Sequence, residues 1–209
     1  MTLLEIKIKR AEIMNLFSAL FCQPDEGVTK NKNTYETLIT LLEVVNSDCI
    51  PDVLKMQQSA EKYTIQELMV EYARLFIGPF KIPVPPYSSM YFQEKILMSN
   101  VTLWVMEMYK QAGLHFDTNL KDLPDHVVVE TQFLYYLLFN QVNEFKNGNK
   151  DDAERYHELM QFFVNQHYRK WIPDFCNKII ENTNNSFYKA LARCFEKFVR
   201  TWAVGSLPE

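Results

Sequence analysis

Residues 71–89 read Glu71-Tyr72-Ala73-Arg74-Leu75-Phe76-Ile77-Gly78-Pro79-Phe80-Lys81-Ile82-Pro83-Val84-Pro85-Pro86-Tyr87-Ser88-Ser89. The left half belongs to a helix. Upstream, Thr64-x-x-Glu67 has the form of a capping box, and Leu68, Tyr72, Leu75 and Phe76 share a face of the helix it opens. Gly78-Pro79 closes that helix, because glycine reaches the left-handed turn and proline cannot extend the hydrogen-bond ladder. The right half is different in kind: four of the nine prolines fall between residues 79 and 86. Fixed φ angles and missing N–H donors exclude helix and central strand alike, so a stiff extended loop is expected.

Helical periodicity continues on both sides. Ile6, Ile13, Leu16, Phe17, Leu20 and Phe21 line a first helix that stops before Pro24, and Leu38, Leu41, Leu42 and Val45 line a second. A shorter helix follows Pro51. After the proline loop, Leu97, Val101, Trp104, Val105 and Met108 repeat the pattern up to Gly113, and Pro124 opens a long helix carrying Val127, Leu134, Leu137 and Leu138 that ends at Gly148. Residues 151–168 (with Leu159, Phe162 and Phe163 as apolar positions), 173–182 and 187–203 give three more. There is no internal repeat, no low-complexity tract and no alternation long enough for a sheet. The expected fold is all-α: a single globular helical bundle of about nine or ten helices over residues 1–209, with the helices of 1–60 packed on a bundle formed by 61–209.

Composition agrees. Of 209 residues 47% are hydrophobic and 14% aromatic, which excludes a disordered chain, and only 5 are glycine, which suits helix. The formal charge of −4, without any Lys/Arg run, argues against nucleic acid as a partner. Residues 1–7 mix charge into apolar positions and do not read as a signal peptide. The longest uncharged stretch, 131–143, is too short for a membrane span, so no stable membrane insertion is expected. Cys22, Cys49, Cys176 and Cys194 are widely spaced, form no C-x-x-C and read as reduced thiols of a cytoplasmic protein.

Chemistry is sparse. No phosphate-binding glycine loop occurs, and His115, His126, His157 and His167 include no H-E-x-x-H. His126 and Glu130, four apart, could meet on one helix face as half of a carboxylate/histidine metal site, but no partner set is readable. Asp122 or Asp125 is expected to cap the helix that starts near Pro124. A histidine at that N-terminus is biased towards its neutral form and is free to exchange hydrogen bonds with a ligand, while Asp125 could accept from an arginine. Three readings stay open on the residues alone: an aromatic-walled groove for an apolar peptide, an enzyme such as a nucleotide hydrolase with Asp125 and His126 as acid and base, and a regulatory helical module whose motifs shape its core.

The two motifs together, Leu75-Phe76-x-Gly78-Pro79 running into Pro85-Pro86, and Pro124-Asp125-His126 with Glu130 one turn on, resemble the TorD/DmsD family of redox-enzyme maturation chaperones, relatives of the NarJ group. The resemblance covers roughly residues 10–203. It implies a non-enzymatic cytoplasmic chaperone that binds the twin-arginine leader, and in some members the mature part, of a molybdopterin-dependent oxidoreductase of the dimethyl sulfoxide or trimethylamine N-oxide reductase type, delaying export until the molybdenum cofactor is inserted. Partners would be that signal peptide and the apo-oxidoreductase, extending to the Tat translocase and cofactor-biosynthesis proteins, with the chaperone a monomer or homodimer. Carried over by position, the leader-binding residues are Tyr72, Leu75, Phe76, Phe80, Pro86 and Tyr87, with Asp125 and His126 as polar contacts. Some members have tryptophan at the positions of Tyr72, Phe80 and Tyr87, a difference that bears on which client is served. The family carries no resident cofactor or metal; guanine-nucleotide (GTP) binding has been proposed for it, and here it would be weak without a glycine loop.

Overall fold

The computed structural model describes residues 2–78, 81–93, 95–115 and 122–202. Its α-helical segments, in chain order, are α1 (Leu3–Leu20), α2 (Lys32–Val45), α3 (Ile50–Lys62), α4 (Ile65–Tyr72), α5 (Asn100–Gln111), α6 (Val127–Lys146), α7 (Lys150–Phe163), α8 (Arg169–Asn182) and α9 (Ser186–Arg200). No strand occurs among the described residues, where the β pairing is an isolated antiparallel bridge between Tyr87 and His126. The all-α expectation holds. The nine segments make eight separate helices, because α7 runs through a π turn at Val164–Tyr168 straight into α8. The helix expected over 173–182 starts four residues earlier, at Arg169, so that Pro173 sits inside α8 and the helix continues past its missing N–H.

The starts and stops have local causes. Thr64 Oγ1 accepts the Glu67 N–H at 3.2 Å while the Glu67 carboxylate takes the Thr64 N–H at 2.7 Å, completing the capping box of α4. Beyond Tyr72 the helix widens into a second π turn, Ala73–Ile77, closed by the Gly78 N–H on the Ala73 carbonyl at 2.7 Å. Gly78 has φ +50°, and a Cβ there would stand 3.0 Å from the Lys81 carbonyl oxygen. The following loop folds back so that the Val84 N–H reaches the Leu75 carbonyl at 3.1 Å, and Val84 is fully buried.

The described chain divides into two compact units. The first comprises residues 2–18 and 87–171, the second 19–86 and 172–202, so the first 60 residues contribute to both. In the first unit α6 packs against α7, with Phe133 seated between Tyr109 (4.6 Å between ring centroids) and Phe163 (5.0 Å). Leu134, Leu137, Met160 and Val164 complete that core. The second unit is built on α3 against α9, whose inner face carries Phe187, Tyr188, Leu191, Cys194 and Phe195. Lys197 of α9 closes on the buried Asp52 of α3 at 2.6 Å, and the Cys49 and Cys194 thiols, both free, each face the other's backbone carbonyl. Among the described residues no helix is long and apolar enough to cross a membrane.

Candidate peptide-binding site

His126 is the residue that caps α6. Its Nδ1 accepts the Val128 N–H at 3.2 Å, the position at which the sequence suggests an aspartate. Accepting that bond requires Nδ1 to be unprotonated. Burial lowers the histidine pKa below its ordinary 6.5, against the opposing pull of Asp122 and Asp125, so the neutral form expected at this helix end has desolvation as its main cause. The half-buried Tyr87 bridges to His126 through the backbone and meets its ring edge-on, 5.3 Å between centroids and 70° between planes. Burial raises the Tyr87 pKa, with Asp122 and Asp125 acting in the same direction.

Asp125 is instead a loop anchor. Its carbonyl takes the Ser88 N–H at 2.8 Å and its Oδ2 takes the Ser89 N–H at 3.0 Å, which ties the 3-10 turn Ser88–Tyr91 to the start of α6. The Tyr109 hydroxyl donates to the Pro124 carbonyl at 2.7 Å and holds the same corner. Asp125 is 0% exposed, and its Oδ1 has no partner among the described residues. The acceptor offered to an incoming arginine is thus covered in this conformation. The bonds that Asp125 and His126 make run to backbone amides, which gives no acid–base pair.

In the second unit Tyr72 is half-buried and stacks at a tilt on Phe76, 5.1 Å away. Phe76 lies between Phe175 at 6.1 Å and Tyr188 at 6.0 Å, and Leu75 is fully buried, its carbonyl spent on Val84. Pro86 is buried as well. Leu75, Phe76 and Pro86 are therefore interior side chains, where the sequence suggests groove walls; Tyr72 and Tyr87 retain exposed surface. Phe80 lies outside the described residues.

Glu130 does not meet His126. It is 0% exposed and accepts from two groups remote in sequence: Oε1 lies 2.8 Å from His167 Nε2, and Oε2 takes the Trp171 indole N–H at 2.9 Å. Burial raises its pKa, and His167 pulls the other way through charge and hydrogen bond. His167 is itself walled by aromatics, with Phe92 parallel at 5.2 Å and Trp104 tilted at 5.1 Å. Apart from the apolar spacing of the helices that carry it, nothing in the sequence signals this cluster. No group of three or more potential metal-binding side chains comes together among the described residues.

Against known proteins, the profile of the nitrate reductase delta subunit family matches residues 14–177. The chain is 29% identical over 203 residues to the chaperone protein TorD of Vibrio parahaemolyticus, covering 92% of each. It is 27% identical over 151 residues to a protein assigned as the Tat proofreading chaperone DmsD in Haemophilus influenzae, covering 72% of this chain and 67% of that one. Among solved structures, a candidate redox enzyme maturation protein from Archaeoglobus fulgidus superposes with a TM-score of 0.59 at 27% identity, over 92% of this chain and 94% of that one.

Proposed function

This chain belongs to the nitrate reductase delta subunit family, the group of the TorD and DmsD redox-enzyme maturation chaperones, and from that premise we infer that it binds the twin-arginine leader of a molybdopterin-dependent oxidoreductase. The client in this reading is of the dimethyl sulfoxide or trimethylamine N-oxide reductase type, which is what the resemblance to the TorD/DmsD chaperones implies. The molybdenum cofactor belongs to the client, and holding the leader delays export until that cofactor is in place.

The observation that carries the leader-binding reading is the corner formed by Tyr87 and His126. Because Nδ1 is committed to the helix cap, the neutral imidazole keeps its proton on Nε2, and with His126 5% exposed this donor reaches a peptide carbonyl when the corner opens around Tyr87. The partly exposed Tyr87 ring beside it offers an apolar edge. Tyr72, on the second unit, is a second contact whose ring Phe76 backs from within, with Leu75 and Pro86 buried in the same unit; Asp125 fixes the 88–91 turn of the first. Phe80 completes the set proposed for the leader. A leader is disordered when free, so docking costs ordering entropy and gives the moderate affinity that later release to the export machinery needs.

Isothermal titration calorimetry with a synthetic twin-arginine leader tests this. The wild-type chain should bind, and a Tyr87→Ala, His126→Ala double variant should bind about tenfold more weakly or worse. Equal affinity in the folded double variant removes the corner from the site; a wild-type chain that gives no heat with the leader removes the function.

A further inference from the structure

The apolar spacing of 151–168 places Phe162 in the core, yet its side chain is 51% exposed. It lies four residues after Glu158 and eight after Glu154, so the three side chains run along one stripe of α7. Two hollows of the first unit, each about 440 Å³, share Phe162 and Gln166 as a common wall. One is aromatic, with Phe92, Val101 and Trp104 facing Phe162, and no residue lining it carries a fixed charge. The other is acidic, with Glu154 and Glu158 at its rim.

The aromatic hollow is built before anything enters it. Trp104 is held by stacking on Phe163, 5.8 Å and 14° apart, and by leaning on His167. His167 shares the polar lining with Asn100 and Gln166; its side chain is 3% exposed and its Nε2 is engaged by Glu130. Beside the hollow, the segment entering α5 carries exposed Ile96, Leu97 and Met98, and α5 itself carries exposed Leu103. Isolated exposed apolar residues are ordinary, but such a concentration marks an interaction surface. Lys95 and Met98 hold left-handed φ angles of 48° and 55° without being glycine, so strain is kept in the segment that presents this patch. On the acidic side, Glu154 acts electrostatically on Lys7 and His157, and Glu154 and Glu158, like charges four apart, work against the helix. The Lys7 amine behind them is turned inward, to Gln141 at 3.0 Å and to His157 at 3.4 Å.

We propose that this α5–α7 face docks the client's leader, with an arginine on Glu154 and Glu158 and an apolar side chain of the leader's hydrophobic stretch in the aromatic hollow. The proposal rests on the leader-binding reading and adds a second contact to it. Charge selects the occupant: an uncharged aromatic hollow beside two carboxylates fits a segment that is cationic and then apolar. The spacing selects it further. Along the helix Phe162 stands about 6 Å from Glu158 and about 12 Å from Glu154, which an extended peptide spans in about two to four residues. A leader of roughly 15–30 residues is long enough to touch this face and the Tyr87–His126 corner together.

Calorimetry on the full chain distinguishes the outcomes, with two peptides, the leader and a leader whose arginines are glutamine. Phe162→Ser should weaken both peptides about tenfold, whereas Glu154→Gln with Glu158→Gln should weaken the leader comparably and leave the arginine-free peptide unchanged. All three positions are exposed, so circular dichroism should show unaltered folding. If the wild-type chain binds the leader and both variants bind it equally well, this face is not the site, and the chaperone reading stands. No binding by the wild-type chain overturns both. A Phe162→Ser change that dissociates a dimer in sedimentation velocity, with leader affinity unchanged, gives the face to a second copy of the chain and overturns the proposal.

Discussion

Glu130 is fully buried, and its two oxygens are held by His167 and Trp171. Glu130→Ala would strand both donors and open a cavity, so a loss of about 3–5 kcal/mol is expected in urea unfolding. Its pH signature has a definite sign. Burial raises the carboxyl pKa above 4.5, so just above that value the folded chain holds a proton that the unfolded chain has released. Stability therefore falls as pH climbs through the window between the two pKa values, and Glu130→Gln should flatten that slope. Lys7 behaves in the opposite sense. Burial foremost, then Arg10, lowers its pKa from 10.5 to about 8, so between those values the unfolded chain carries the extra proton and stability rises with pH. Lys7→Met should remove the rise. Neither role was legible beforehand: Glu130 finds partners 37 and 41 residues away, and Lys7 finds its partners 134 and 150 away. Local spacing instead suggested that Glu130 would face His126.

At the scale of the element, what was legible is what is local. The capping box at Thr64 and the stop at Gly78 depend on residues within a few positions of each other, and both form where the sequence puts them. Thr64→Ala should cost about 1 kcal/mol, read from chemical denaturation. Gly78→Ala should cost about 1–2 kcal/mol for the left-handed φ alone, and more if the Lys81 carbonyl cannot yield; a melting temperature equal to wild type would contradict this. The start of the helix expected at 173 was placed four residues late, because α8 continues straight out of a π turn that leaves no composition signal. Periodicity likewise assigned Leu75 and Phe76 to one face correctly, and gave no means of telling a core face from a groove. The same blindness put Phe162 among the buried residues.

For the whole molecule, helical periodicity from end to end predicted the all-α chain, and scarce glycine with abundant aromatics agreed with it, because they report on backbone preference and burial summed over its length. They could not report that residues 2–18 join 87–171 while 19–86 join 172–202, since that grouping is set by packing between distant segments. Net charge acts at this scale too. A chain of formal charge −4 receiving a peptide with two arginines should bind it more weakly as ionic strength rises, and calorimetry at low and high sodium chloride would register the change; a salt-independent affinity would deny charge a part in recognition. The two π turns, Ala73–Ile77 and Val164–Tyr168, are places where a helix carries one residue more than a regular ladder would. Deleting a single residue from either leaves a regular α-helix whose flanking segments keep their direction, because the π turn is what absorbs the roughly 100° that one extra residue would add. Sequence length is negotiable at these points without loss of side-chain direction. A one-residue deletion at 164–166 would therefore preserve helix content and leave Trp171 directed at Glu130, and far- and near-ultraviolet circular dichroism would register the two together.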